Sequence, residues 1–261
     1  MNKKLTCAVN NRNGLLVLRE IKRLGFEIEY LILHPRDEGK YIDEIISETS
    51  LPNDRILFWN KKNVDGIIEK LKSKKSEILF SVNFGYKIPK RMLDMFSLPI
   101  NLHMGYLPYN KGKNPNVWAI VEGTPAGVSI HRMTEKIDEG EIYARKMVKV
   151  EIWDTGKTLY EKLERASVEL VREKFIDIFE GKLNPIPNVG GTYHYAKDFR
   201  KICKIDLNDV IQVKKFIDLL RALTFPPYKN AYIEIDGKRV YLELMLYPED
   251  QEGDTGEDRK F

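Results

Sequence analysis

Apolar runs of strand length alternate with amphipathic runs of helix length through the first half of the chain, and few architectures accept that order. Leu5 to Val9 reads as a buried strand, and Asn13 to Leu24 follows with Leu15, Leu18, Ile21 and Leu24 at helical spacing. The alternation continues with a strand at Glu27 to Leu33, a helix near Tyr41 to Ser50, a strand at Ile56 to Phe58, a helix over Asn63 to Leu71 and a strand at Ile78 to Asn83. Repeated strand–helix–strand units predict an α/β fold in which a parallel, twisted sheet is covered by helices. The loop Asn10-Asn11-Arg12-Asn13-Gly14 leads into a helix N-terminus suited to an anion. It is not Gly-x-Gly-x-x-Gly, so a nicotinamide dinucleotide site has no support.

Ligands of such sheets bind beyond the carboxyl ends of the strands, where Ile100-Asn101-Leu102-His103 and the segment after Asn83 fall. Residues i and i+2 of an extended segment share a face, so the carboxamide of Asn101 and the imidazole of His103 can converge on one reacting carbonyl. The run Val128 to Met133 then leads to Asp138-Glu139-Gly140, which adds a carboxylate. An amide N–H and a protonated imidazole stabilise an oxyanion, while a carboxylate orients the imidazole and accepts a proton. No nucleophilic Ser or Cys stands beside them. Taken singly, each of the three is also an ordinary turn, cap or hydrogen-bonding residue.

The second half predicts strands at Val128 to Met133 and Ile142 to Val150, then a long helix opened by Asp154 with Thr158 and Glu161 at capping-box spacing and closed at Gly181. The Pro- and Gly-rich stretch Leu183 to Gly191 marks a boundary, giving a catalytic domain over 1–189. A second unit, 190–247, holds a helix at Leu207 to Leu223 and two alternating runs joined by Asp236-Gly237, a strong hairpin signal. Residues 248–261 read as an acidic, disordered tail.

Charged residues make up 31% of the chain, no apolar run reaches membrane-spanning length, and Met1 to Lys4 runs straight into a strand instead of a signal-peptide core. A cytoplasmic protein that inserts in no membrane is expected. Two cysteines, Cys7 and Cys203, and four scattered histidines make neither a disulfide framework nor a metal site, so no metal is expected. The net charge of +4 favours a phosphorylated ligand but falls short of a nucleic-acid-binding stripe.

The ordered set Asn101-Leu102-His103, Leu107-Pro108, Pro115-Asn116-Val117-Trp118-Ala119-Ile120 and Asp138-Glu139-Gly140 resembles the signature of the 10-formyltetrahydrofolate-dependent formyltransferases. That resemblance is strong from about Ile78 to Leu170 and weaker after Gly190. It implies a Rossmann-like formyltransferase core with Asn101, His103 and Asp138 as the catalytic set. The extension Leu220 to Tyr232 with its hairpin is similar to that of the sugar N-formyltransferases, which act in surface polysaccharide and O-antigen biosynthesis. Methionyl-tRNA formyltransferase carries a larger C-terminal domain, and glycinamide ribonucleotide formyltransferase ends near the core.

For the folate co-substrate, 10-formyltetrahydrofolate, the resemblance implies contacts at Phe84, Gly85, Ile88 and Asp138. For a nucleotide-linked amino sugar it implies Tyr86, Lys87, Met104, Tyr109, Asn110 and Lys113, with Tyr86, Phe225 and Tyr228 placed to stack on a base, although aromatics beside prolines equally serve simple packing. Lys87 would pair with the diphosphate, although a solvated loop lysine reads the same way. The base stays open among thymine, guanine and uracil. A deoxythymidine diphosphate 4-amino-4,6-dideoxyhexose is the first expectation and GDP-perosamine the second. A formyltetrahydrofolate hydrolase and a non-catalytic sugar-nucleotide sensor also fit the trio or the fold, and the hairpin's apolar faces suit a homodimer.

Overall fold

The computed structural model describes residues 3–62 and 64–249. Its first half is β1 (Lys4–Val9), α1 (Asn11–Arg23), β2 (Glu27–Leu33), α2 (Ile42–Thr49), β3 (Ile56–Phe58), α3 (Val64–Leu71) and β4 (Ile78–Val82), as the periodicity predicts. A short α4 (Lys90–Leu93) leads to β5 (Leu98–His103). Then come β6 (Lys111–Gly112), α5 (Pro115–Glu122), β7 (Ala126–Arg132), β8 (Ile142–Val148) and α6 (Gly156–Phe179). The chain continues through β9 (Tyr193–His194), α7 (Ala196–Cys203), α8 (Val213–Leu223), β10 (Ala231–Ile235) and β11 (Lys238–Leu242).

Seven strands form the main sheet in the order β3-β2-β1-β4-β5-β7-β8. The first five run parallel, whereas β7 and β8 are antiparallel additions at one edge. The loop between β7 and β8 is too short for a crossover helix, which obliges β8 to return antiparallel. The central strands are buried on both faces: Leu5, Cys7 and Val9 pack with Leu18 of α1 and Leu163 of α6, while Ala8 and Leu79 meet Leu71 of α3 and Met92 of α4. Cys7 is the core residue its strand pattern implies.

Helix α6 opens beside Asp154 as expected, but its capping pair lies one turn earlier than the expected one. Thr155 is the N-cap, its hydroxyl accepting from Thr158 N at 3.2 Å while Thr158 Oγ1 accepts from Thr155 N at 2.9 Å, so the reciprocal pair is Thr155/Thr158 and not Thr158/Glu161. Helix α8 is shorter than the expected 207–223. Asp206 Oδ1 accepts from the Asn208 amide at 2.9 Å, a local turn that competes with helix, and Leu207, Val210 and Ile211 stay exposed.

Arg221 ties the C-terminal unit to the core. Its Nε donates to Asp218 Oδ1 at 2.8 Å and one guanidinium nitrogen donates to the Asp154 carbonyl at 2.8 Å, all three residues being buried. The hairpin β10–β11 turns at Asp236 (φ 49°) and Gly237 (φ 74°), the paired left-handed geometry its Asp-Gly signal demands. Residues 250–261 of the expected acidic tail lie outside the described residues. No helix among the described residues is long and apolar enough to cross a membrane.

Candidate active site

Strand β5 delivers Asn101 and His103 to the carboxyl edge of the sheet, and β7 runs antiparallel beside it with His131 opposite Asn101. Cross-strand partners of this kind share a face, and the Asn101 amide nitrogen lies 3.2 Å from His131 Nε2. After β7 the chain folds back so that Asp138, with φ 55°, points at both imidazoles. That return is close-packed: a Cβ at Gly140 would overlap the Arg132 carbonyl, so only glycine lets the loop lie against β7.

The carboxylate of Asp138 spans two rings, with Oδ2 3.4 Å from His103 Nδ1 and Oδ1 3.2 Å from His131 Nε2. Oδ2 also accepts from the Gly112 amide at 2.9 Å. Burial alone would raise the Asp138 carboxyl, but His103, His131 and the Gly112 N–H outweigh it and hold the group well below the usual carboxylate range. The tautomers follow from the partners. His103 Nε2 donates to the Asn110 carbonyl at 2.8 Å, which leaves Nδ1 facing Asp138. His131 Nδ1 donates to the Arg132 carbonyl at 2.8 Å. Its Nε2 then accepts from the Asn101 amide in the neutral ring and donates to Asp138 in the protonated one.

A cavity of about 450 Å³ opens against this cluster. Its polar lining includes Asn101, His103, His131 and Asp138, and its apolar lining includes Phe84, Ile88, Leu93, Met104 and Met133. Such a mixture suits a planar ring system held by a few polar groups. Lys87, Lys113 and Lys136 stand exposed among its lining residues. Lys136 pairs with Glu139 at 3.3 Å, whereas Lys87 joins no ion pair among the described residues.

Of the residues expected at a site, Asn101, His103 and Asp138 meet, and Phe84, Gly85, Tyr86, Lys87, Ile88, Met104 and Lys113 line the same cavity. Tyr86 is already engaged: its ring lies 4.4 Å from that of His34, and its hydroxyl donates to Glu38, which with burial pushes the phenol up to about 12. Tyr109, Asn110, Phe225 and Tyr228 lie outside the lining. Asn110 is buried, its side chain donating to Thr124 Oγ1 at 2.9 Å. Phe225 packs 5.6 Å from Tyr160, which does line the cavity, and 5.8 Å from Tyr228. Trp118 is buried, as its core reading implies, and stacks on His194 at 4.0 Å.

Sequence reasoning passed over His131, Tyr160, Tyr193 and His194, all of which line the cavity. For His131 a signal existed, since a polar residue near the end of an otherwise apolar strand that leads to Asp138 is out of place in a core. The other three come from distant parts of the chain and carry no local pattern.

The formyl transferase family profile matches residues 42–174, and the N-formyltransferase dimerization C-terminal domain matches residues 198–248. The chain belongs to the formyl transferase family. Within it, the chain is 31% identical over 175 residues to a dTDP-4-amino-4,6-dideoxyglucose formyltransferase of Mycobacterium tuberculosis, a match spanning 66% of this chain and 74% of that one. A 4-N formyltransferase from Francisella tularensis superposes with a TM-score of 0.80 at 28% identity, covering 95% of this chain and 100% of the other. The formyltransferase PseJ from Anoxybacillus kamchatkensis, solved with UDP-4,6-dideoxy-4-formamido-L-AltNAc and tetrahydrofolate, superposes with a TM-score of 0.55 at 28% identity over 76% of this chain and 88% of that one. The expected sugar N-formyltransferase resemblance and its fold are thereby borne out.

Proposed function

We propose that this formyltransferase moves a formyl group from 10-formyltetrahydrofolate to the amine of a nucleotide-linked 4-amino sugar, with a deoxythymidine diphosphate 4-amino-4,6-dideoxyhexose as the acceptor. The observation that carries the reading is that Asn101, His103 and Asp138 line one cavity together with several apolar side chains. The apolar side chains Phe84, Ile88 and Met104 suit the flat ring of a folate, which would supply the formyl carbon.

Attack by a neutral amine leaves negative charge on the formyl oxygen. The Asn101 carboxamide is the donor with an N–H to spare, and His103, whose Nε2 faces the Asn110 carbonyl and Nδ1 faces Asp138, reaches that oxygen by sharing its Nε2–H between the two. Asp138, held ionised, is a weak base, and its main task is to orient His103. The amine's proton is relayed through solvent to the donor's nitrogen as the carbon–nitrogen bond to the folate breaks and tetrahydrofolate leaves. Lys87 and Lys113, exposed beside the reacting wall, supply positive charge for a diphosphate. The M. tuberculosis relative supports thymine as the base, while the UDP-linked ligand of PseJ supports uracil as the alternative.

The exposed Ile235, Val240, Tyr241 and Met245 around the hairpin, within the segment that matches the dimerization domain, support a homodimer. We place the reaction in the cytoplasm.

Mass spectrometry of the purified protein with 10-formyltetrahydrofolate and a panel of thymidine-, guanosine- and uridine-linked 3- and 4-amino sugars tests the reading. A formylated thymidine-linked 4-amino sugar is expected. Formylation of GDP-perosamine in preference would move the acceptor assignment, folate hydrolysis without acceptor would make the protein a hydrolase, and binding without turnover would make it a sensor.

A further inference from the structure

The strand β9 does not belong to the C-terminal unit in its contacts. It pairs parallel with β6, Lys111 N donating to the Thr192 carbonyl and Lys113 N to the His194 carbonyl, each at 2.9 Å. The segment from Asn188 to His194 therefore lies across the loop that carries Asn110 and Gly112. Those two residues supply the backbone groups that hold the catalytic pair: the Asn110 carbonyl accepts from His103 Nε2, and the Gly112 amide donates to Asp138 Oδ2.

Three further contacts make this crossing specific. Thr192 Oγ1 accepts from the Asn110 amide at 2.9 Å and stands 3.4 Å from Asn110 Oδ1. Asn188 Nδ2 donates to the carbonyls of Asp138 and Gly140, at 2.8 and 3.0 Å. Gly191, with φ 78°, passes so close to the Pro108 carbonyl that a Cβ would overlap it. Asn110 is itself left-handed, at φ 58°, and fully enclosed. A non-glycine residue in that conformation needs its surroundings to hold it, and the Thr192 hydroxyl meets its amide while Thr124 meets its side chain.

We propose that Thr192 and Asn188 are positioning residues for formyl transfer. Thr192 fixes the Asn110 carbonyl that orients His103, and Asn188 fixes the backbone that aims Asp138. Both lie between the two stretches matched by the family profiles, so the linker completes the catalytic geometry as well as joining the units. The inference rests on the proposed reaction for its kinetic readout but not for its structural one.

The test compares Thr192→Val, which keeps the β-branched shape and loses the hydroxyl, with Thr192→Ser, which restores it. Thr192→Val should lower kcat about tenfold or more while KM for both substrates stays within about twofold, and Thr192→Ser should return kcat to near the parent value. Asn188→Leu should also lower kcat with little change in KM. A second measurement needs no turnover: nitrogen NMR of labelled histidine, in which the His103 ring signals should move in Thr192→Val and stay in Thr192→Ser. An unchanged kcat with unmoved His103 signals would overturn the proposal, as would a KM effect alone or failure of the serine variant to rescue. If the parent protein shows no transfer at all, the functional reading falls, and the His103 signals still decide whether Thr192 positions that ring.

Discussion

His131 Nε2 stands 3.2 Å from Asp138 Oδ1, with both side chains buried, so the Asp138 carboxylate is shared between the expected imidazole and a second one. The second ring is anchored from behind by the Arg132 carbonyl, so it cannot turn away. It therefore acts as a fixed support for Asp138 and helps to hold that carboxyl below its ordinary range.

Removing that support with His131→Ala should reduce kcat about 10- to 10²-fold, because Asp138 gains freedom and His103 loses its orientation. The pH profile should move in a defined direction. His131 lowers the Asp138 pKa, so without it the carboxyl protonates at a higher pH and activity is lost earlier on acidification. Rate–pH profiles of the two proteins provide the check, and superimposable acid limbs would remove His131 from the machinery.

Asn101→Ala should cost about 3 kcal/mol of transition-state stabilisation, about 10²-fold in kcat, with smaller effects on either KM. His103→Ala should cost at least as much. Steady-state kinetics on folded variants, verified by circular dichroism, would show it. Near-normal turnover in both would make these residues structural.

Lys87 is exposed, lines the cavity and joins no ion pair among the described residues, so its ammonium is available to an anion. A charge-assisted contact of about 1.5–3 kcal/mol to the acceptor's diphosphate predicts that Lys87→Ala raises KM for the sugar nucleotide about tenfold or more. KM for the folate should hardly change. The reverse pattern would assign Lys87 to the donor.

Arg221→Ala should destabilise the protein by about 3 kcal/mol, since it leaves Asp218 buried with one partner fewer and strips donors from the Glu151 and Asp154 carbonyls. Denaturant titration measures this directly. Because Arg221 lies outside the cavity lining, turnover per folded molecule should stay near the parent value at moderate temperature.

Much of the architecture was legible because it is written in local periodicity. The strands at Leu5, Glu27, Ile56 and Ile78 and the helices between them follow from spacing over a few residues, and the Asp236-Gly237 turn follows from two residues that tolerate positive φ. Asn101 and His103 belong to that class, since residues two apart on a strand share a face wherever the strand lies. The start of α8 was less legible, as Asp206 shows, because a single side-chain hydrogen bond can move a helix boundary by a turn or more.

The rest was decided by the tertiary structure. His131 meets Asn101 through the register of an antiparallel strand pair, and register depends on which strands become neighbours. Asp138 reaches two imidazoles because Gly140 permits a close return, and Thr192 reaches Asn110 because β9, which follows α6 in the chain, pairs with β6. Local propensity acts over a turn or a strand and is carried by neighbouring residues. Contacts between residues tens of positions apart depend on how whole elements pack, and their loop-closure entropy is offset only when the surrounding core forms. The chain alone thus determined which strand would present the amide and the imidazole, and packing determined what holds them in place.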